Sequence, residues 1–407
     1  MSEVTEEKKP AKIVIRELAA KAYSDAYEAK QRGEKIGWCA SNFPQEIPTT
    51  LGIKCVYPEN QAAAISAKGA GQTMCEHAEG ELGYSNDLCA YSRISMAFAD
   101  LGKTPNGEQD MPLPDFVLCA NNICNCMIKW YENLGEMLDI PVIMIDIPYG
   151  EDYEPDQKRI DYIRGQFKDA IKQLEEITGK KWDDERFKEV MEISQRTATA
   201  WLKAASYANY KPSPLNGFDL FNHMAVAVTA RGTIEAAEAF EQLAEEYEQA
   251  VKDGTSTYKV EEKNRILFEG IACWPYLRAT SAPLKGNNIN VTATVYAAAF
   301  GIKYSTIDEM MAAYALVPNS INLERAVALR EDACRAGKVD GALVHINRSC
   351  KLWSGIALEM GRRLEKNLDI PVVTFDGDQS DPRNFSEAQY DTRVQGLVEL
   401  MNEKKGN

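Results

Sequence analysis

The chain carries only three histidines, His77, His223 and His345, a scarcity that nearly excludes a His-rich metal site. No Cys-x-x-Cys pair occurs. The close cysteines Cys124 and Cys126 are separated by one residue and cannot alone define a zinc site or a cluster. A G-x-x-x-x-G-K-[ST] loop is absent, and Gly69-Ala70-Gly71 lacks the rest of a dinucleotide fingerprint, so this chain is not expected to hydrolyse ATP. No apolar run approaches the roughly 20 residues that span a bilayer. The opening residues, MSEVTEEKKPAK, are charged and lack the apolar stretch of a signal peptide, so the expected location is the cytoplasm. Basic excess is missing as well. Lys and Arg number 46 against 61 Asp and Glu, and the net charge of -15 argues against nucleic acid or a polybasic membrane patch.

Cysteine is what the chain does have, with ten residues. In a reducing compartment these point to metal or redox use rather than a disulfide framework, although a single free cysteine is also an ordinary small core residue. The length of 407 residues predicts two or three domains with a substantial core.

The chain is organised around residues 115–132. The run Asp115-Phe116-Val117-Leu118 reads as a buried strand, and helical spacing follows over 123–131. Cys119 and the Asn121-Asn122 turn therefore fall at a strand end opening into a helix, where ligands bind in open α/β sheets. A second copy lies downstream. Asp340 answers Asp115, Asn347 answers Asn122, and LDIPVVTFD at 368–376 answers LDIPVIMIDI at 138–147. Further strands are predicted at 35–39, 54–57, 142–147, 265–268, 291–295 and 372–375. A charged helix is expected over 13–32, and amphipathic runs at 159–179 and 233–252 mark a helical segment.

The predicted fold is α/β: two related Rossmann- or flavodoxin-like α/β/α domains with parallel sheets, plus a helical insertion. The boundaries follow as an N-terminal helical segment 1–32, a first α/β domain 33–155, a helical connector 156–262 and a second α/β domain 263–407. If the two units face each other, strand-end sulfurs from both can converge on one iron–sulfur site in the cleft, with helix N-termini offsetting its negative charge. A thiol–imidazole pair of His345 and Cys350 is a second possibility. The aspartates of DGDQSDPR at 376–383 lack EF-hand spacing and suit turns and caps better than a cation. Ser41 reads equally well as a helix cap, Glu59 as a dipole-favoured carboxylate, and Arg93 as a counter-charge for Cys89.

Taken together, GWCASNFPQE, YPEN, NDLCAYSR, CANNIC with KWYE, HINRSCKLWS and FDGDQSDPRNFSEAQYDTR resemble the 2-hydroxyacyl-CoA dehydratase family, specifically its larger, substrate-activating alpha subunit. The resemblance covers nearly the whole chain and is greatest to the aryllactyl (phenyllactyl)-CoA branch of amino-acid-fermenting anaerobes. It implies a 4Fe–4S cluster on three cysteines, Cys89, Cys119 and Cys350, with water or hydroxide on the fourth iron. It gives Cys126 no role, and implies that Ser41 and Glu59 handle the substrate hydroxyl or its proton.

The implied reaction removes water from an (R)-2-hydroxyacyl-CoA to give the 2-enoyl-CoA. One electron placed in the thioester carbonyl makes a ketyl radical that expels the neighbouring hydroxyl; the β-hydrogen then becomes acidic enough for a modest base. The implied partners are a smaller homologous cluster-bearing beta subunit and an ATP-dependent iron–sulfur activator. Two rival readings are an aryl-CoA reductase-type subunit and a non-catalytic electron-transfer subunit.

Overall fold

The computed structural model describes residues 9–406. Eight strands form two four-stranded parallel sheets. The first holds β1 (Gly37–Cys39), β2 (Cys55–Val56), β3 (Phe116–Ala120) and β4 (Val142–Ile145) in the order β2-β1-β3-β4. The second holds β5 (Asn264–Glu269), β6 (Ile289–Ala293), β7 (Gly341–Asn347) and β8 (Val372–Gly377) in the order β6-β5-β7-β8. The two orders are the same. Strands β1, β3 and β5 are buried along their whole length, as apolar runs in helix-covered parallel sheets must be.

The sequence repeat has a hydrogen-bond counterpart. Asp115 exchanges backbone bonds with Ile36, its carboxylate accepting the Ile36 N–H at 2.9 Å and its own N–H reaching the Ile36 carbonyl at 2.9 Å. Asp340 does the same with Arg265, at 2.8 and 2.7 Å. Two residues on, Val117 and Ala342 donate to the carbonyls of Pro141 and Pro371. The Asn125–Leu138 and Lys351–Leu368 helices both end on a left-handed aspartate, Asp139 (φ 50°) and Asp369 (φ 51°), where a short polar side chain tolerates a positive φ better than most. The Asp115 and Asp340 carboxylates clamp the starts of the central strand pairs, which fixes the register.

Between the sheets the chain runs through helices Gln157–Thr178, Asp184–Ser206, Phe218–Thr229 and Ile234–Asp253. Their starts follow from capping chemistry: the side chains of Asp156, Asp183 and Thr233 accept first-turn N–H groups. The Ala11–Gln31 helix packs on the last two of these helices and on β2, rather than lying across the first sheet alone. A buried network joins the parts. Glu46, near β1, accepts hydroxyls from Tyr304 at 2.6 Å and Tyr314 at 2.7 Å, and Arg231 of the helical segment lies 3.7 Å away. Among the described residues no helix is long and apolar enough to cross a membrane.

Candidate functional site

In each sheet the strand order reverses direction at its central pair, β1/β3 and β5/β7. The crevice outside the carboxyl ends of such a pair is the ligand position of open α/β sheets. Loops leaving all four of these strands meet around one cavity of about 280 Å³. Ser41 and Asn42 come from β1, Cys124 and Cys126 from β3, Trp274 from β5, and Cys350 and Trp353 from β7. Cys89 and Tyr91 enter from the start of the Ala90–Leu101 helix. The Phe218–Thr229 helix supplies Phe221, Met224 and Val228, so the segment expected to connect two domains also forms a wall. Trp130, Tyr296 and Phe300 complete a strongly aromatic lining, and Ala63, Ala64 and Ala67 leave space along one side.

Three thiols occupy the same local position. Cys89, Cys124 and Cys350 are each the residue immediately before a helix, capping Ala90–Leu101, Asn125–Leu138 and Lys351–Leu368. Each residue therefore stands at the positive end of a helix dipole, and the Cys124 sulfur accepts the Met127 N–H at 3.4 Å. Burial opposes charge on them, pushing the Cys124 thiol up to about 12 and that of Cys350 up to about 11. Left alone they stay protonated; opposite a metal they become thiolates. Cys126 is the second residue of the helix that Cys124 caps, its sulfur 3.7 Å from the Ser92 hydroxyl. The neighbouring Cys89 thiol holds the Cys126 thiol down, and Cys126 in turn pushes Cys89 up.

Cys119 departs from expectation. It is fully buried within β3, does not line the cavity, and feels the charges of Glu59 and Glu132 instead of another thiol. The strand continues two residues beyond the apolar run that closes on Leu118, so the chain turns toward the cavity only at 121–124, and Cys124 lines it where Cys119 does not. The signal for Cys124 was available: it directly precedes a helix, as Cys89 and Cys350 do.

Ser41 and Glu59 do come together. The Ser41 N–H donates to Glu59 Oε1 at 3.0 Å, and the Tyr131 hydroxyl donates to Oε2 at 3.3 Å. Glu59 follows Pro58 at the start of the Pro58–Ala67 helix. Burial pushes its carboxyl up to about 7, although the bonds from Ser41 and Tyr131 pull the other way. The group is thus poised between acid and base near neutral pH.

Two other expectations change. Arg93 does not serve Cys89; it is fully buried against Glu79 and Asp381. His345 does not face Cys350, since its Nδ1 lies 2.6 Å from the Ile271 carbonyl and its ring stacks on Phe375, and burial pushes its pKa down to about 4. The 376–383 loop makes turns, Asp378 accepting N–H groups from Ser349, Ser380 and Asp381. Sequence reasoning missed Trp274 and Tyr296, whose apolar surroundings carry no motif. Trp274 donates to the Tyr91 hydroxyl at 2.6 Å, tying the second sheet's loop to the first half.

Residues 40–401 match the family described as 2-hydroxyglutaryl-CoA dehydratase, D-component. The (R)-phenyllactyl-CoA dehydratase alpha subunit of Clostridium sporogenes is 64% identical over 397 residues, covering 98% of this chain and 97% of that subunit. The (R)-2-hydroxyisocaproyl-CoA dehydratase alpha subunit of Clostridioides difficile is 48% identical, with 98% of each chain covered. The (R)-2-hydroxyglutaryl-CoA dehydratase subunit alpha of Acidaminococcus fermentans is 46% identical, again with 98% of each chain covered. With a match along nearly its whole length, the chain belongs to the 2-hydroxyglutaryl-CoA dehydratase D-component family.

Proposed function

We propose that this chain is the alpha subunit of a hydro-lyase that dehydrates an (R)-2-hydroxyacyl-CoA with an aromatic acyl group, of the phenyllactyl type. One observation carries the reading: three helix-capping thiols share a single aromatic-lined cavity with a proton-active carboxyl. An aryl side chain matches that lining by stacking and edge-to-face contact.

The thiols suit an iron–sulfur group. Among the described residues no three His, Cys, Asp or Glu side chains gather tightly enough for a single metal ion. Cys89, Cys124, Cys126 and Cys350 instead line one shared cavity. Cys89, Cys124 and Cys350 would hold a 4Fe–4S cluster, with Cys126 beside them. When bound, such a cluster supplies single electrons and an open iron as Lewis acid. The protein's own residues supply the rest. Protonated Glu59 gives its proton to the departing hydroxyl, so that water leaves instead of hydroxide. The Ser41 N–H and the Tyr131 hydroxyl hold the carboxyl in place before and after transfer. Trp130, Phe221, Trp274 and Tyr296 exclude water from the reacting carbons.

The relatives are alpha subunits, and we assign this chain a beta-type cluster-bearing partner as well. A separate ATP-dependent iron–sulfur activator is the proposed electron donor, since this sequence carries no phosphate-binding loop of its own. We further propose the division 33–155 and 263–407 for the two α/β domains, with 1–32 and 156–262 as helical parts and the cluster site in the cleft.

The test is anaerobic iron and sulfide analysis of the pure protein, followed by turnover of an acyl-CoA panel with activator and partner present. Conversion of (R)-phenyllactyl-CoA to the enoyl-CoA with trace reductant supports the reading. Net reduction of an aryl-CoA with stoichiometric reductant would replace it with a reductase.

A further inference from the structure

The 376–383 loop reaches the thiols with a side chain that neither capping nor proton transfer uses. Gln379 is fully buried, and its amide nitrogen donates to the Cys89 sulfur at 3.4 Å and to the Ser349 hydroxyl at 2.9 Å. Both bonds land on loops that carry cluster-site cysteines, because Ser349 directly precedes Cys350. The Ser349 hydroxyl also accepts the N–H of Ala90, the residue after Cys89, at 3.0 Å. One primary amide thus bridges the Cys89 and Cys350 caps.

The loop is held firmly enough for that contact to persist. The Gln379 carbonyl accepts the Trp274 N–H at 3.1 Å. On one side Asp378 binds the Ser349 N–H at 2.9 Å, and on the other Asp381 pairs with buried Arg93 at 2.9 Å. The nitrogen, not the oxygen, faces the sulfur for a physical reason. An oxygen there would put two electron-rich atoms in contact once Cys89 is a thiolate, with no donor between them. The side-chain oxygen of Gln379, unlike its backbone carbonyl, has no protein partner.

We propose that Gln379 is a positioning residue that sets the reduction potential of the group bound at Cys89, Cys124 and Cys350. This rests on the ligand assignment above. Adding one electron to an iron–sulfur cluster raises the negative charge on its sulfurs, so a donor aimed at a ligand sulfur stabilises the reduced form more than the oxidised one. The potential therefore rises. Gln379 itself is fully buried, so on its side of the half-buried Cys89 water does not replace the missing donor.

The experiment compares the full chain with Gln379→Leu and Gln379→Met, each loaded with iron and sulfide under anaerobic conditions. Iron content is measured first, then the midpoint potential by one-electron titration with dithionite, followed by EPR. The expected result is a lower midpoint potential in both variants at undiminished iron content. An unmoved or raised potential at full iron content overturns the inference and leaves the ligand assignment standing. Absence of iron from the unaltered chain overturns the ligand assignment and the inference with it. If the shorter leucine prevents loading, the methionine variant, which fills the same space without a donor, decides between the same two results.

Discussion

The two sheets share strand order, clamp residues and left-handed helix ends, yet the loops at their carboxyl ends carry different chemistry. After β1 comes Ser41, and after β2 comes Glu59, a hydrogen-bonded pair that can move a proton. At the corresponding places after β5 and β6 stand Trp274 and Tyr296, aromatic side chains that line the cavity and bring no carboxylate. After β3 and β7 the halves agree again, with Cys124 and Cys350 as helix caps. The comparison teaches that a duplicated frame kept a helix-cap cysteine at one corner twice and diverged at the other. On the proposed function the first half carries the proton-moving pair, and residues of both halves enclose the acyl group.

That division makes predictions of graded size. The largest concerns the corner that the halves share. Cys350→Ala should abolish dehydration and lower iron and sulfide content, because a thiolate ligand is lost; full activity with full iron would reject the site. The next concerns the half that moves protons. Glu59→Gln should lower kcat by about 10²–10⁴-fold, the usual worth of a positioned acid or base, while leaving iron content intact. Because the protonated carboxyl is the active form, wild-type kcat should fall as pH rises through about 7, and the variant should lose that limb.

A smaller effect belongs to the enclosing walls. Ala64→Leu narrows the space along the Pro58–Ala67 helix. It should reduce kcat/KM for aryl substrates relative to lactyl-CoA by about 10–200-fold, the range that a few methylenes in an apolar pocket can discriminate. An unchanged ratio would remove the acyl group from this part of the cavity.

The smallest prediction concerns the scaffold of the second half. His345 is buried and neutral, its pKa held below the ordinary value by loss of water. A group with a depressed pKa adds stability above its unfolded value that is lost as pH falls. Melting temperature should therefore decline between roughly pH 6.5 and pH 4 as the unfolded chain takes up the proton that the fold refuses, and His345→Gln should flatten that decline.

Much of the frame was legible in the chain. The strands and the repeat could be read because apolar runs closing on Asp115 and Asp340, and the twin LDIP stretches, obey local rules of burial and helix termination. Ser41, Glu59, Cys89 and Cys350 were legible through motif resemblance, and the structure brings all four to one cavity. Cys119 does stand at the carboxyl end of its strand, as the apolar run indicated, but its side chain is buried and does not line the cavity, a choice of face that only the assembled sheet decides. The aromatic walls were not legible at all. Trp274, Tyr296 and Phe221 come from three distant segments, and only tertiary packing assembles them.

The most direct measurement is anaerobic iron and sulfide content, with EPR, for two single variants, Cys119→Ser and Cys124→Ser. The helix-cap arrangement predicts that Cys119→Ser retains the cluster and that Cys124→Ser loses it. Loss in Cys119→Ser together with retention in Cys124→Ser would contradict the arrangement.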